Sequence, residues 1–381
     1  MKKALLAFAL ALVSVFTLVA CTGGNYEIAM ITDSGGIDDK SFNQGTWEGI
    51  VEYATAHEKA YKYYKPREVS DTAYLRAIKL AVRGGAKIVI TPGFLFETAI
   101  YEAQNLYPEV KFVLIDGEPH NADYSVFETK PNTLNVLFDE HEVGFFAGYA
   151  AVYGGLTNLG FFGGMAVPAV QRFGIGFVAG AYYAAVELDI DITFTAEHYE
   201  YLGSFAPTPE AKSKAATWYS AGVSVIFAAA GGAGSSAMAA AVEATGSKYV
   251  IGVDKDQSGD STSVITSALK GVGEAAISAL TDFYSGNWVG GRTISLGSAE
   301  GGVGLPSDFS RFGTNAAAVK TAYDALFAKV VAGEVLIDLE GTANDIYNVP
   351  TNDRASLGAF LTALGISNAA LVAKAEPAPA A

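Results

Sequence analysis

A parallel α/β protein of two similar lobes is the fold class this sequence predicts, on three observations. Short apolar runs ending in Gly or Asp alternate with Ala-rich helical stretches, the pattern of βαβ units and a parallel sheet. The pattern also recurs. Residues 77–116 read as helix, GGAKIVIT, a Pro-Gly-Phe loop, helix and KFVLID, and residues 215–254 read as helix, AGVSVIFA, a Gly-rich loop, helix and KYVIGVD. Finally, a chain of 381 residues, half of them apolar, is long enough to bury two cores rather than one.

The first residues stand apart from the fold. Lys2 and Lys3 precede an apolar run, 4–20, and the only cysteine follows it in Leu18-Val19-Ala20-Cys21, which is the arrangement of a signal peptide. Small residues before a cysteine resemble the bacterial lipobox, whose cysteine is lipidated and becomes the mature N-terminus. Residues 1–20 are therefore read as signal peptide and 21–26 as a lipidated tether. The protein is expected at the cell membrane, anchored through Cys21 and facing outside the cytoplasm, on the extracellular face or in the periplasm. No later segment offers eighteen uninterrupted apolar residues. With Lys2 and Lys3 removed, 23 basic residues face 40 acidic ones, a formal charge of about −17, and so acidic a surface repels nucleic acid. A lone cysteine leaves no internal disulfide.

In chain order, strands are predicted at 27–32, 87–91, 111–115, 159–162, 223–227, 249–253 and 263–267, each continuously apolar as suits a strand covered on both faces. Helices are predicted at 43–55, 72–83, 95–106, 142–153, 173–188, 210–221, 235–245 and 268–283. No long linker divides the halves. Crossings between lobes are placed where the repeat restarts, near Phe138-Asp139, Asp256-Gln257 and 293–298. The N-terminal lobe is then 27–138 plus 257–295, and the C-terminal lobe 139–256 plus 296–373. A chain that crosses three times has lobes that hinge rather than separate. The Ala/Pro-rich end, 374–381, is expected to be disordered.

The stretch 28–44, IAMITDSGGIDDKSFNQ, carries the most information about function. It is an apolar strand, an aspartate, a Gly pair, then Ser-Phe-Asn opening a helix. Ligands of open α/β sheets sit beyond the carboxyl ends of the strands, so Asp33, Phe42 and Asn43 fall where a small molecule binds. An acceptor beside an aromatic ring suits a flat, hydroxyl-bearing ligand better than a phosphate. Phe205 follows a serine in the other half of the chain, as Phe42 does, and two rings from opposite lobes can sandwich a planar base. Asp116 and Asp254 end equivalent strands of the repeat and become opposing acceptors. Gly231 and Gly232 admit close approach to backbone amides. Lys270, after Thr266-Ser267, can donate to a sugar oxygen.

Parts for catalysis are few. His57, His120, His141 and His198 lack the spacing of a metal-ligand pair. There is no GxSxG elbow and no GxxxxGK[ST] loop. Residues 160–164, GFFGG, lack the GxGxxG spacing and read as a tight turn. Asp38-Asp39 are explained by capping of the following helix. No catalytic residue, metal or cofactor is assigned.

Several segments together are similar to the basic membrane protein family of bacterial lipoproteins, the purine-nucleoside-receptor type of ABC-transporter substrate-binding protein. They are DSGGIDDKSFNQGTWEG, GGAKIVITPGF, YPEVKFVLIDG, EVGFFAGYAA, GFFGGMAVPAV, VIFAAAGGAGSS, VIGVDKDQ and VITSALKGVG, spread over nearly the whole mature chain. The resemblance implies a type I periplasmic-binding-protein fold, two Rossmann-like lobes with a ligand cleft and a three-crossing hinge. It also implies a monomer that captures purine nucleosides for an ABC permease and its ATPase. By the same resemblance Asp33 and Asn43 look like base-recognising residues, Phe42 and Phe205 like the stacking pair, and Asp116, Asp254 and Lys270 like ribose ligands, with Gly231 lending an amide. The chain departs from the family at Ala206-Pro207-Thr208, where acidic residues are usual, which leaves the base preference open. Competing readings are a sugar-binding protein of the same fold, a nucleoside hydrolase using Asp33, Asp38 and Asp39 around Ca²⁺, and a surface adhesin without a cleft.

Overall fold

The computed structural model describes residues 25–335, with 337, 358–360 and 362. Cys21, the signal segment and the 374–381 tail lie outside the described residues.

The first sheet is built from β1 (Ile28–Ile31), β2 (Tyr61–Tyr64), β3 (Ile88–Pro92), β4 (Lys111–Ile115) and β5 (Thr133–Phe138), connected through α1 (Phe42–Ala56), α2 (Asp71–Arg83) and α3 (Glu97–Leu106). After α4 (Glu140–Tyr153) comes a second set: β6 (Leu159–Gly163), α5 (Pro168–Leu188), β7 (Tyr199–Tyr201), α6 (Pro209–Ser220), β8 (Val225–Ala229), α7 (Gly234–Glu243), β9 (Tyr249–Asp254) and β10 (Val264–Lys270). The chain then returns through α8 (Val272–Ser285), which packs on α1, to β11 (Arg292–Leu296) beside β5. It ends with β12 (Val303–Gly304), antiparallel to β10, and α9 (Ala316–Val331).

The two sheets have the strand orders β11-β5-β4-β3-β1-β2 and β12-β10-β9-β8-β6-β7. Position by position the orders match, and the repeat read in 77–116 and 215–254 extends to five strands of each lobe; the sixth differs, β11 running parallel to β5 and β12 antiparallel to β10. Burial explains why the central strands form: β1, β3, β6 and β8 are buried at every residue, as strands covered on both faces must be.

One expected crossing is corrected. Residues 257–270 do not join the first lobe, because β10 pairs in parallel with β9, Ser267 opposite Gly252 and Leu269 opposite Asp254. The change of lobe falls at Gly271, between β10 and α8. The expected helix 268–283 is shortened for the same reason: Ala268, Leu269 and Lys270 have helix-favouring side chains, but strand pairing overrides that preference. The other passages between sheets lie between β5 and α4 and between β11 and β12.

Helix α4 lies at the centre, with every residue from Val143 to Val152 buried, as expected for a helix apolar on all sides. Its contact with α5 is backbone against backbone. A Cβ added at Gly144 or Gly148 would lie 2.3 or 2.1 Å from the carbonyl oxygens of Phe173 or Phe177, and one at Gly176 or Gly180 would lie 2.1 or 1.9 Å from those of His141 or Phe145. Only glycine allows this approach. Gly148→Ala is expected to destabilise the protein by about 1–3 kcal/mol through overpacking. Denaturant unfolding of the variant checks it, and an unchanged midpoint would contradict the tight contact.

Candidate functional site

The carboxyl ends of the two sheets face each other and enclose a cavity of about 730 Å³, open mouth included. Asp33 follows β1, Gly93 follows β3 and Asp116 follows β4 on one side. Gly231 follows β8, Phe205 lies between β7 and α6, and Asp254 and Lys270 end β9 and β10 on the other. All eight residues singled out in the sequence line this one cavity: Asp33, Phe42, Asn43, Asp116, Phe205, Gly231, Asp254 and Lys270.

The loop before α1 is held by Asp39. Its Oδ1 accepts from the amides of Ser41 (2.9 Å) and Gln44 (3.0 Å), and its Oδ2 from that of Asn43 (3.0 Å), so this carboxylate caps the helix in place of the N-cap Ser41. Ser41 is thereby released to donate its hydroxyl across the cleft to Asp254 Oδ2. Asn43 is almost fully buried, and its amide is spent within the protein. Nδ2 donates to Asp33 Oδ1 and to Asp39 Oδ2, both at 2.8 Å, and Oδ1 accepts the Asp33 amide at 3.3 Å. The side chain of Asn43 thus positions Asp33. Burial raises the Asp33 carboxyl above its ordinary range against the hydrogen bonds from Gly35 and Asn43, and the charge of Asp39 adds to the rise.

Asp116 and Asp254 occupy equivalent strand ends, and both have left-handed backbones, φ 62° and 65°. Aspartate tolerates that region better than most residues, yet such outliers cluster at functional positions because the fold must hold them there. Lys270 is buried between them. It pairs with Asp116 and with Glu140 Oε1 (2.7 Å), and Arg172 Nε holds the other oxygen of Glu140 at 2.5 Å. Burial would lower the Lys270 pKa, but Asp116, Glu140 and Asp254 raise it further, so the ammonium stays charged. Asp116 is pulled up by burial and by Glu140 against the opposing pull of Lys270. Its Oδ1 is buried and has no hydrogen-bond partner among the described residues. Burial pushes Asp254 up to about 6, against Lys270 and Ser41.

Both expected rings are in place. Phe42 comes from α1 of the first lobe, with Lys270 Nζ 5.0 Å from its centroid. Phe205 comes from the second lobe and lies on Gly164, where a Cβ would sit 2.2 Å from the ring. The Ala206-Pro207-Thr208 departure has a local role: the Thr208 hydroxyl accepts from the Ala211 amide (3.1 Å) and Pro209 is the first residue of α6, so this segment caps a helix. Met165, Val167, Ala169, Val170 and Phe173 complete an apolar wall that the sequence reading did not identify. It also missed Glu140 and Arg172, though Arg172 is the single basic residue in a 21-residue apolar helix and so needed a buried partner. The acidic group proposed for Ca²⁺ is not assembled: Asp39 is committed to α1 and Asp38 is exposed. Among the described residues no His, Cys, Asp and Glu cluster has metal-holding geometry.

Asp254 carries a measurable cost. Its folded pKa, about 6, lies above the unfolded carboxylate range, so its stability contribution is fully present below about pH 4 and is lost as pH rises through about 6. Asp254→Asn is expected to stabilise the ligand-free protein at pH 8 by roughly 2–3 kcal/mol and to remove this part of the slope between pH 4 and 6. Denaturant titrations of both proteins across that range check it; equal slopes would contradict the burial of this charge.

A family model described as ABC transporter substrate-binding protein, PnrA-like, matches residues 26–330. The ABC transporter nucleoside-binding protein BmpA of Lactococcus lactis subsp. cremoris is 30% identical over 363 residues, covering 87% of this chain and 99% of that protein. Basic membrane protein A1 of Borrelia garinii subsp. bavariensis is 32% identical over 300 residues, covering 75% and 83%. Among solved structures, an ABC transporter system solute-binding protein from Aeropyrum pernix K1 superposes with a TM-score of 0.68 at 24% identity, over 81% of this chain and 92% of that one, a likeness of fold.

Proposed function

Since the chain belongs to the PnrA-like family of ABC transporter substrate-binding proteins, and so serves a permease and ATPase by binding rather than by catalysis, we propose that its ligand is a purine nucleoside held between the two lobes. The observation that carries this reading is the buried, unpartnered Asp116 Oδ1 in the cavity wall. An unmade hydrogen bond there costs about 1–3 kcal/mol, which a ligand hydroxyl recovers. The neighbouring polar groups suit the same ligand. Asp254 offers a second carboxylate to a ribose diol, and Asp33, fixed by Asn43, offers an acceptor to a base N–H. Lys270 has one N–H beyond those given to Asp116 and Glu140. Phe42 and Phe205 supply faces for a flat base, and the glycines at 231 and 232 bring backbone close. A phosphate would meet three carboxyl groups, which disfavours nucleotides on charge. The named relative from Lactococcus lactis, a nucleoside-binding protein, supports the reading.

Calorimetry with guanosine, adenosine, the free bases and the monophosphates tests it. Nucleosides are expected to bind better than either bases or monophosphates, and a monophosphate that binds as tightly as its nucleoside would rule out the carboxylate assignment. Phe42→Ala and Phe205→Ala are each expected to weaken nucleoside binding by roughly 1–3 kcal/mol, about tenfold to a hundredfold. Asp254→Ala should cost a nucleoside at least as much and the matching base far less, because the base has no diol. Equal losses would remove Asp254 from the ribose site.

We further propose that the protein works outside the cytoplasm, tethered by lipid on Cys21. The small residues before that cysteine support the tether, and among the described residues no helix is long and apolar enough to cross a membrane. Cys21→Ala should move the protein to the soluble fraction, and membrane association that survives a carbonate wash would contradict the anchor.

A further inference from the structure

Positive charge is concentrated in one part of this acidic protein. Residues 57–87 hold eight of the 25 Lys and Arg and three of the 40 Asp and Glu, in a chain of formal charge −15; four of the eight, Lys59, Lys62, Arg83 and Lys87, lie towards the N-terminal ends of the strands, whereas Lys65 and Arg67 follow β2 at its other end. The segment runs from the end of α1 through β2 and α2 to the start of β3. Because all strands of the first sheet are parallel, their N-terminal ends open on one face, opposite the ligand cavity. Lys59 and Lys62 stand at the start of β2, Arg83 ends α2, Lys87 precedes β3, Lys111 opens β4 and Arg292 opens β11. Glu27, Glu58 and Glu109 share this face, and Glu27 is already bound by Lys87 (2.7 Å) and the Tyr284 hydroxyl (3.0 Å). Aromatic rings lie among the charges. Lys62 Nζ is 5.1 Å from the Tyr26 centroid, Lys59 Nζ 4.5 Å from that of Tyr284, and Lys111 Nζ 5.7 Å from that of Trp288.

The described chain starts within this face. The Tyr26 amide donates to Gly84 O at 3.1 Å, just past the end of α2, and Asn25 lies against Gly85. Cys21 is five residues before Tyr26, and five extended residues span at most about 18 Å. We propose that the strand-start face of the first lobe docks on an anionic lipid bilayer, against which the lipid on Cys21 holds it. The proposal rests on the Cys21 anchor argued above. Electrostatic attraction to headgroups fades over about 8 Å at physiological ionic strength, and each basic residue close to the surface contributes about 1 kcal/mol. A tether of this length lets the basic face reach that range and holds it near the surface, while Tyr and Trp side chains favour the headgroup level. The first lobe then lies nearest the membrane, with the cavity and the second lobe farther out.

Lysine footprinting of the full-length lipidated chain tests the proposal, on vesicles of phosphatidylcholine alone and of phosphatidylcholine with phosphatidylglycerol. Acetylation of Lys59, Lys62, Lys87 and Lys111, read by mass spectrometry, is expected to slow roughly threefold or more on the anionic vesicles. Lys320 and Lys329 on α9 should label alike on both. Equal labelling at the first-lobe lysines, with the protein sedimenting with lipid, overturns the docking face and leaves the anchor standing. Protein that sediments with neither vesicle overturns the anchor and the docking face together. Protection that requires native membranes and is lacking on pure lipid assigns the face to a protein partner and overturns the proposal. The double variant Lys62→Glu, Arg83→Glu should lose the difference at Lys59 and Lys87 while keeping its thermal shift with guanosine; protection that persists would also overturn it.

Discussion

The buried ammonium of Lys270 is the constraint on which the two lobes and the cavity both depend. Removing one charge from water costs several kcal/mol, and only close counter-charges in good geometry offset it. Lys270 has Asp116 on one side and Glu140 on the other, with the rings of Phe42, Phe138 and Phe173 around it at 5.0–5.7 Å. Glu140 in turn needs Arg172, and its place at the first residue of α4 puts it at the positive end of that helix. Four elements thus meet in one charge cluster, and only Asp116 belongs to the first lobe. The glycine contact between α4 and α5 sets the distance from Glu140 to Arg172. Helix packing in the second lobe and the charge on the cavity floor are therefore the same structural problem.

The cavity is assembled from features that weaken a fold. Two aspartates are held left-handed, one carboxylate oxygen is buried without a partner, and Asp254 is ionised where burial opposes it. Ordinary folding would select against each. Their concentration at the carboxyl ends of equivalent strands is what a site shaped for hydrogen-bond donors requires, since acceptors satisfied within the protein would have nothing left for a ligand.

Much of this was legible in the sequence because it is local or periodic. Apolar runs closed by Asp or Gly mark strand ends, and the repeat alone puts Asp116 and Asp254 at equivalent positions. Contacts between distant segments were not legible. Nothing near Glu140 in the chain points to Arg172, 32 residues on, or to Lys270, 130 residues on. Asn43 was singled out for the right loop, but its commitment to Asp33 and Asp39 depends on how that loop folds back. The edge strands β2 and β11 escaped notice because they are partly exposed and lack a continuous apolar run. The crossing near residue 257 was misplaced because the visible repeat stops at Asp254, whereas each lobe adds a fifth strand before the chain leaves it.

Contacts across the mouth of the cleft are of a different kind from those at its floor. Lys40 pairs with Asp260 at 3.1 Å, Lys255 with Glu48 at 2.7 Å, and Gln257 donates to the Lys40 carbonyl at 2.8 Å. Partly exposed ion pairs of this sort contribute only about 0–1 kcal/mol each. They orient the lobes without locking them. At the cavity itself the lobes are joined by Asp116 with Lys270 and Ser41 with Asp254, all four residues at or beside the surface a ligand touches, and among the described residues the buried Gln257 adds its bond to Lys40. A ligand shifts a conformational equilibrium only by its difference in affinity for the two states. With a weak rim and the strong groups gathered at the cavity, that difference resides in the ligand's own contacts to both lobes, so whatever engages Asp33 and Asp116 together with Asp254 and Phe205 sets how long the lobes stay together.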